Sequence, residues 1–137
     1  MRVVVADAGA LYAAADADDP DHGACIEQLQ RPDLRVVVPA LVLAEVSYLL
    51  GTRLGPRADA AFMRSMASQE VEPPTPEDFT RIGELVERYA DFPLGGVDAS
   101  VIALAERLDT PLVLTLDHHH FAAVKPAHRD ALRLLPE

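Results

Sequence analysis

Gly95–Phe121, GGVDASVIALAERLDTPLVLTLDHHHF, decides the fold, because it sets an aspartate at each end of one helix-to-strand unit. Asp98 follows the flexible approach Gly95-Gly96-Val97 and precedes Val101, Ile102, Leu104, Ala105 and Leu108, whose three- and four-residue spacing predicts a buried helix face. Asp98 is therefore expected at or near a helix N-terminus. Asp117 closes the apolar run Leu112-Val113-Leu114-Thr115-Leu116, which follows Pro111, is too short for a helix and reads as a fully buried parallel strand. In a parallel sheet the carboxyl ends of strands and the N-termini of helices share one edge, and ligands bind along it. Both carboxylates are expected to face one crevice there.

The rest of the chain repeats this grammar. Arg2–Ala6 reads as a buried strand ending at Asp7, followed by a helical Leu11–Ala15. Asp18, Asp19 and Asp21 read as acids that start the helix Gly23–Gln30, where they complement its dipole. Val36–Val38 is a second strand that passes through Pro39, a residue suited to helix entry, into a long helix from Ala40 to Leu54. Glu45 falls about two turns into that helix among almost wholly apolar neighbours, where an acid needs a partner or a cation. A helix Arg57–Ser68 and a short edge strand at Val71 follow. Thr75-Pro76-Glu77-Asp78 has the form of a capping box, opening a helix whose Phe79, Ile82, Val86 and Tyr89 are expected in the core. Leu132–Leu135 supplies a last strand. This alternation predicts a single α/β domain over residues 1–137, a three-layer sandwich with a mostly parallel central sheet flanked by helices.

Bulk properties narrow the classes. At 137 residues the chain holds one ordinary core. No apolar run is long enough to span a bilayer, and Asp7 interrupts the N-terminal apolar stretch before it could act as a signal peptide, so a cytoplasmic protein with no membrane partner is expected. Cys25 is the only cysteine, which excludes an internal disulfide and suits a small core residue better than a nucleophile. The net charge of −10 argues against a surface that grips phosphate non-specifically. Arg53, Arg57, Arg64, Lys125, Arg129 and Arg133 are scattered cations, and no aromatic stacking platform for bases is visible.

Asp7, Glu45, Asp98 and Asp117 each lie at a strand's carboxyl end or on a helix leaving that edge, next to apolar sequence. Two carboxylates about 5 Å apart repel by roughly 3 kcal/mol at an effective dielectric near 20. A helix N-terminus returns only about 0.3–1 kcal/mol. No lysine or arginine is embedded in these segments, which leaves a divalent cation as the neutraliser, and an all-oxygen donor set favours Mg²⁺ or Mn²⁺. Such a site suits hydrolysis of a phosphodiester by an activated water. Thr115, two residues before Asp117, is placed to hydrogen-bond a carboxylate or the water, and Ser100, close to Asp98, is a second supporting candidate. His118, His119 and His120 point in differing directions, so a solvated or phosphate-facing loop is expected there instead of a zinc site.

The strand ending at Asp7, Pro39-Ala40-x-x-x-Ala44-Glu45-Val46, Val97-Asp98-Ala99-Ser100-x-Ile102-Ala103-x-Ala105 and Thr115-Leu116-Asp117-x-x-His120-Phe121 together resemble a PIN domain, and more narrowly a VapC-type toxin. The resemblance covers essentially the whole chain. It implies a Mg²⁺- or Mn²⁺-dependent endoribonuclease with Asp7, Glu45, Asp98 and Asp117 as the catalytic, metal-binding quartet. It also implies an RNA substrate, a homodimer, and a cognate antitoxin whose segment lies across the active-site groove. Two positions depart from the family pattern: Ala8-Gly9-Ala10 lacks the hydroxyl that many members carry after the first aspartate, and His119 stands where many carry a further acid. Those departures define the alternative, a PIN-like binding or regulatory module with weak or no catalysis. A phosphorylatable receiver domain ranks lower, because Val36–Val38 ends in Pro39 and supplies no central-strand aspartate.

Overall fold

The computed structural model describes residues 1–137. Five strands form one sheet in the order β3-β2-β1-β4-β5: β1 Arg2–Ala6, β2 Leu34–Pro39, β3 Glu70–Glu72, β4 Leu112–Leu114 and β5 Arg133–Leu135. Every pairing is parallel, so the expected mostly parallel sheet is parallel throughout. Seven α-helices connect them: α1 Ala8–Ala15, α2 His22–Leu29, α3 Ala40–Arg53, α4 Pro56–Ser65, α5 Pro76–Arg88, α6 Gly96–Arg107 and α7 His118–Ala123. The chain builds outward from β1 to β2 and β3, then crosses back to β4 on the other side of β1. With right-handed crossovers, this reversal puts α1–α4 and the α5–α6 pair on opposite faces.

The central strands are buried on both faces, as their uninterrupted valines require: Val4, Val5, Val37, Val38 and Val113 are almost fully enclosed. α6 is the most deeply set helix, buried without a break from Ala99 to Ala105. Its small residues Ala99, Ala103 and Ala105 let it lie close against β1, β2 and β4. Cys25 is a buried core residue whose thiol is pushed up by burial, as its helix position implied.

The capping box forms as read: Thr75 Oγ1 accepts from the Asp78 N–H at 3.0 Å, and Asp78 Oδ2 accepts from the Thr75 N–H at 3.1 Å. Other details differ. The helix expected over 57–68 ends at Ser65 and tightens into a 3₁₀ turn, Met66–Ser68, before β3. Asp18, Asp19 and Asp21 precede α2 and shape its approach instead of lying in its first turn, with the Asp19 side chain accepting from the Asp21 N–H at 2.8 Å. Phe79 is 55% exposed, because Asp78, Ile82 and Leu85 form the buried stripe of α5. The histidine run is helical, the start of α7. Asp117 caps it, and the fully buried Phe121 anchors it.

Candidate active site

The order reversal falls between β1 and β4, the place where an open parallel sheet leaves a crevice beyond its carboxyl ends. Ala6 is registered with Leu114, and the Asp7 N–H donates to the Leu114 carbonyl at 2.8 Å. The residues leaving the two strands are thereby set side by side.

Asp7 caps α1 and is 5% exposed. One carboxylate oxygen accepts from the Ala8 N–H at 2.8 Å, and the other accepts from Thr115 Oγ1 at 2.9 Å. Thr115 is completely buried and also accepts the Asp117 N–H at 3.0 Å, so its single hydroxyl ties the two aspartates together. The hydroxyl missing after Asp7 in sequence is thus supplied from β4's end. Burial pushes the Asp7 carboxyl up to about 6, the two hydrogen bonds oppose this, and Asp98 and Glu45 add to it. No arginine or lysine forms an ion pair with Asp7 to offset this rise.

Asp98 lies in the first turn of α6, half-buried, as its position predicted. Its carboxyl is also raised, by burial first and then by Asp117 and Glu45, with His120 opposing. Asp98 is thus the acid near all the others, raised by Asp117 and Glu45 and itself raising Asp7, and α1, α3, α6 and α7 bring the four to one edge. Glu45 corrects the sequence reading in one respect: it is exposed, because Val42, Val46 and Leu50 form the buried side of α3 and Glu45 turns toward the open rim. Ser100 does not join the group. It is buried on another side of α6, and its hydroxyl donates to the Val97 carbonyl.

His120 was not singled out by sequence as a partner of the acids. Its backbone N–H donates to Asp117 Oδ1 at 3.0 Å, and its ring Nδ1 lies 2.9 Å from Oδ2 and 3.1 Å from Oδ1. The three-residue spacing from Asp117 was the available signal, readable once this stretch is known to be helical. Beside it the rings of Phe92, His119 and His120 gather, each centroid about 5 Å from the others. An aromatic cluster therefore exists where none was expected, assembled from two segments far apart in sequence.

As placed, no three of the histidine, cysteine, aspartate and glutamate side chains converge closely enough to grip an ion. The donor chemistry nevertheless suits a hard divalent cation: oxygen donors only, one of them buried and without an arginine or lysine partner. Two open clefts of about 470 Å³, one between α2 and β5 and one between α5 and α6, lie away from these acids, and so do two smaller hollows. One dimple opens at the opposite edge between Arg2, Asp109 and Arg133, and an apolar groove of about 420 Å³ runs along α1, α2 and α4.

Residues 4–126 match the PIN domain family. The chain belongs to that family. The ribonuclease VapC26 of Mycobacterium tuberculosis is 33% identical over 135 residues, covering 97% of this chain and all of the relative. VapC20 of the same organism, a toxin that cleaves the sarcin-ricin loop, has a crystal structure that superposes with a TM-score of 0.74 at 25% identity, over 80% of this chain and 86% of that one. VapBC2 of Rickettsia felis, solved bound to a promoter DNA fragment, superposes with a TM-score of 0.71 at 14% identity over 96% of this chain and 98% of that one, a likeness of fold. The PIN domain here thus shares the three-layer fold of such structures.

Proposed function

We propose that this PIN domain is an endoribonuclease, the toxin of a toxin–antitoxin pair, and that it hydrolyses RNA phosphodiester bonds at the acidic crevice with Mg²⁺ or Mn²⁺ as its cofactor. The observation that carries this reading is Asp7, an almost wholly enclosed carboxylate pushed up to about 6 by burial and by neighbouring acids, with no basic side chain to neutralise it. Asp7, Glu45, Asp98 and Asp117 would hold the cation. When bound, it supplies electrostatic stabilisation of the phosphoryl group and activation of water.

The chain's own residues set the conditions for that chemistry. Thr115 directs its hydroxyl hydrogen at Asp7 and fixes the backbone of Asp117. His120 holds the Asp117 carboxylate in place from the next turn. Asp7 keeps a proton in weakly acidic solution, so the crevice reaches its full negative charge only above about pH 6. The relatives named ribonuclease and toxin support RNA as the substrate. A toxin of this class requires a neutralising antitoxin whose segment would lie across the acidic crevice, and the separate apolar groove beside α1, with Leu11, Val36, Phe62 and Met66 in its walls, is suited to bury a further apolar segment of it. The same reading makes the protein a cytoplasmic homodimer. No helix is long and apolar enough to cross a membrane.

Asp98→Asn tests the proposal. The residue is half-buried in the first turn of α6, where asparagine is tolerated, so the fold is retained. Cleavage of structured RNA in Mg²⁺ is expected to fall by several kcal/mol of transition-state stabilisation, on the order of 10³-fold. Undiminished cleavage overturns the assignment. Calorimetric titration with Mg²⁺ and Mn²⁺ separates it from a non-catalytic PIN module, which would take up neither ion at this site.

A further inference from the structure

We infer that Phe92, His119 and His120 form a stacking platform that receives an unpaired nucleobase beside the acidic crevice, and that Arg88 and Lys125 lead the RNA strand to it; this rests on the ribonuclease reading and adds the element that contacts a base. The platform is a continuous contact path. His120 Nδ1 sits 2.9 Å from Asp117 Oδ2, and the Phe92 ring lies 5.0 Å from the His120 and His119 rings, tilted by 51° and 53°. His119 is exposed and Phe92 half-exposed, so a ring face remains open to solvent at the crevice lip. Phe92 belongs to the loop leading into α6, which carries Asp98, while the histidines belong to α7, which Asp117 caps. The platform is thus mounted on the same two elements as half of the acidic quartet.

The charge around it has the sign that RNA requires. Most basic side chains of this acidic protein are tied up: Arg81 with Glu106, Arg107 with Asp78, Arg129 with Asp109, Arg133 with Glu137. Arg88 and Lys125 are exposed and take no carboxylate partner. Tyr89 lies between the segments that carry them: the Arg88 guanidinium lies 5.9 Å from its ring centroid, and the backbone N–H of Lys125 donates to its hydroxyl at 3.0 Å. Tyr89 is three residues before Phe92. Arg53, Arg57 and Arg64 are unpaired as well, but Arg88 and Lys125 are the ones on segments that meet at Tyr89. Cations for phosphates, an aromatic face for a base and carboxylates for the scissile phosphodiester are the groups by which single-stranded segments of RNA are held. A duplex would not fit this chemistry, because its bases present no free face.

The chain contains no tryptophan, so Phe92→Trp places a sole indole reporter in the platform. In the non-cleaving Asp98→Asn background, titration with single-stranded oligoadenylate is expected to quench that fluorescence to saturation, and an oligoadenylate–oligouridylate duplex to leave it largely unchanged. Binding is read in parallel by the anisotropy of labelled oligoadenylate. Phe92→Leu, which keeps an apolar side chain but removes the ring, is expected to weaken binding about 5- to 150-fold, the range of one base–aromatic contact, whereas Phe92→Tyr retains it. His119→Ala, at an exposed position, gives a loss of the same kind, and Arg88→Ala with Lys125→Ala flattens the salt dependence of binding. If oligoadenylate binds by anisotropy while the indole signal is unmoved and Phe92→Leu binds as Phe92→Tyr does, the platform is overturned and the ribonuclease reading stands. If no oligonucleotide binds and the unmutated protein cleaves no RNA, both fall.

Discussion

Two groups of carboxylates lie against α6, and they are built in opposite ways. At its N-terminal end Asp98 joins Asp7, Glu45 and Asp117, with only His120 as a partner that can carry positive charge. Toward its C-terminal end Glu106 receives the Arg81 guanidinium through two hydrogen bonds, at 2.8 and 2.9 Å, and the Ala127 N–H at 2.7 Å. Its neighbour Arg107 reaches Asp78 at 2.9 Å. Burial alone would raise Glu106, yet Arg81 and Ala127 outweigh it and hold the carboxyl below its ordinary range, whereas Asp7 is pushed up to about 6. One end of the helix is neutralised internally and clamps α5 to α6. The other is left charged, and that is the end facing the crevice. Neutralisation separates the acids that clamp the helices together from those left without an arginine or lysine at the crevice.

The largest stability effect expected from this contrast is at the clamp. Arg81→Ala leaves Glu106 enclosed with only the Ala127 N–H as a strong partner, and breaking a buried pair by removing one member costs about 3–5 kcal/mol. Arg81 is 24% exposed, so screening and solvent access reduce this to about 2–4 kcal/mol. Urea denaturation is the measurement. RNA cleavage per folded molecule is expected to be unchanged, and a loss of activity without a loss of stability would break the division between the two ends.

Asp7→Asn should move stability the other way. An acid raised from 3.8 to about 6 corresponds to about 3 kcal/mol of unfavourable free energy once it ionises in the native state. Below pH 4 the carboxyl is protonated both folded and unfolded and there is no cost. Between pH 4 and 6 the unfolded chain ionises first, so stability falls as pH rises, and the full cost is present above about pH 6. Asparagine removes it but cannot reproduce both hydrogen-bond acceptances, leaving a net gain of about 1–3 kcal/mol at pH 7 that fades toward pH 4. Cleavage is lost. The clamp has the opposite pH sign, since the stabilisation at Glu106 is present above its unfolded value and is lost as pH falls. A variant less stable than the unmutated protein at pH 7 would show that Asp7 is a structural acid like Glu106.

Sequence made the two ends unequally legible. Asp7, Asp98 and Asp117 were readable because each position follows from local rules: an apolar strand must stop, a helix must start, and parallel topology brings those points to one edge. Glu45 was read correctly as belonging to that edge but wrongly as enclosed, because helix rotation is set by which neighbours pack, here Val42, Val46 and Leu50. Phe79 failed for the same reason. The Arg81–Glu106 and Arg107–Asp78 pairs span 25 and 29 residues, and no periodicity reports such contacts. Phe92 lies in a loop, where pattern carries least, and only the helical form of His118–Ala123 brings it neighbours. The all-parallel sheet, by contrast, was implied by every buried valine run.

The smallest expected effect sharpens the comparison most, because it tests a hydroxyl inside the charged end. Thr115→Val keeps the shape and removes the donor to Asp7 and the acceptor of the Asp117 N–H. The cost in stability is about 1–2 kcal/mol, the scale for a buried group left without its partner. The hydrogen bond from Thr115 holds the Asp7 carboxyl down, so its loss lets burial push that carboxyl higher. The acid limb of the cleavage rate is therefore expected to move to higher pH, while the rate well above that limb changes little. A merely structural threonine would lower stability and leave the pH profile where it was. A shifted limb in Thr115→Val, together with an unshifted limb in Arg81→Ala, would show that the two ends of α6 titrate independently, and that the charge left at the crevice is governed by one hydroxyl set between two aspartates.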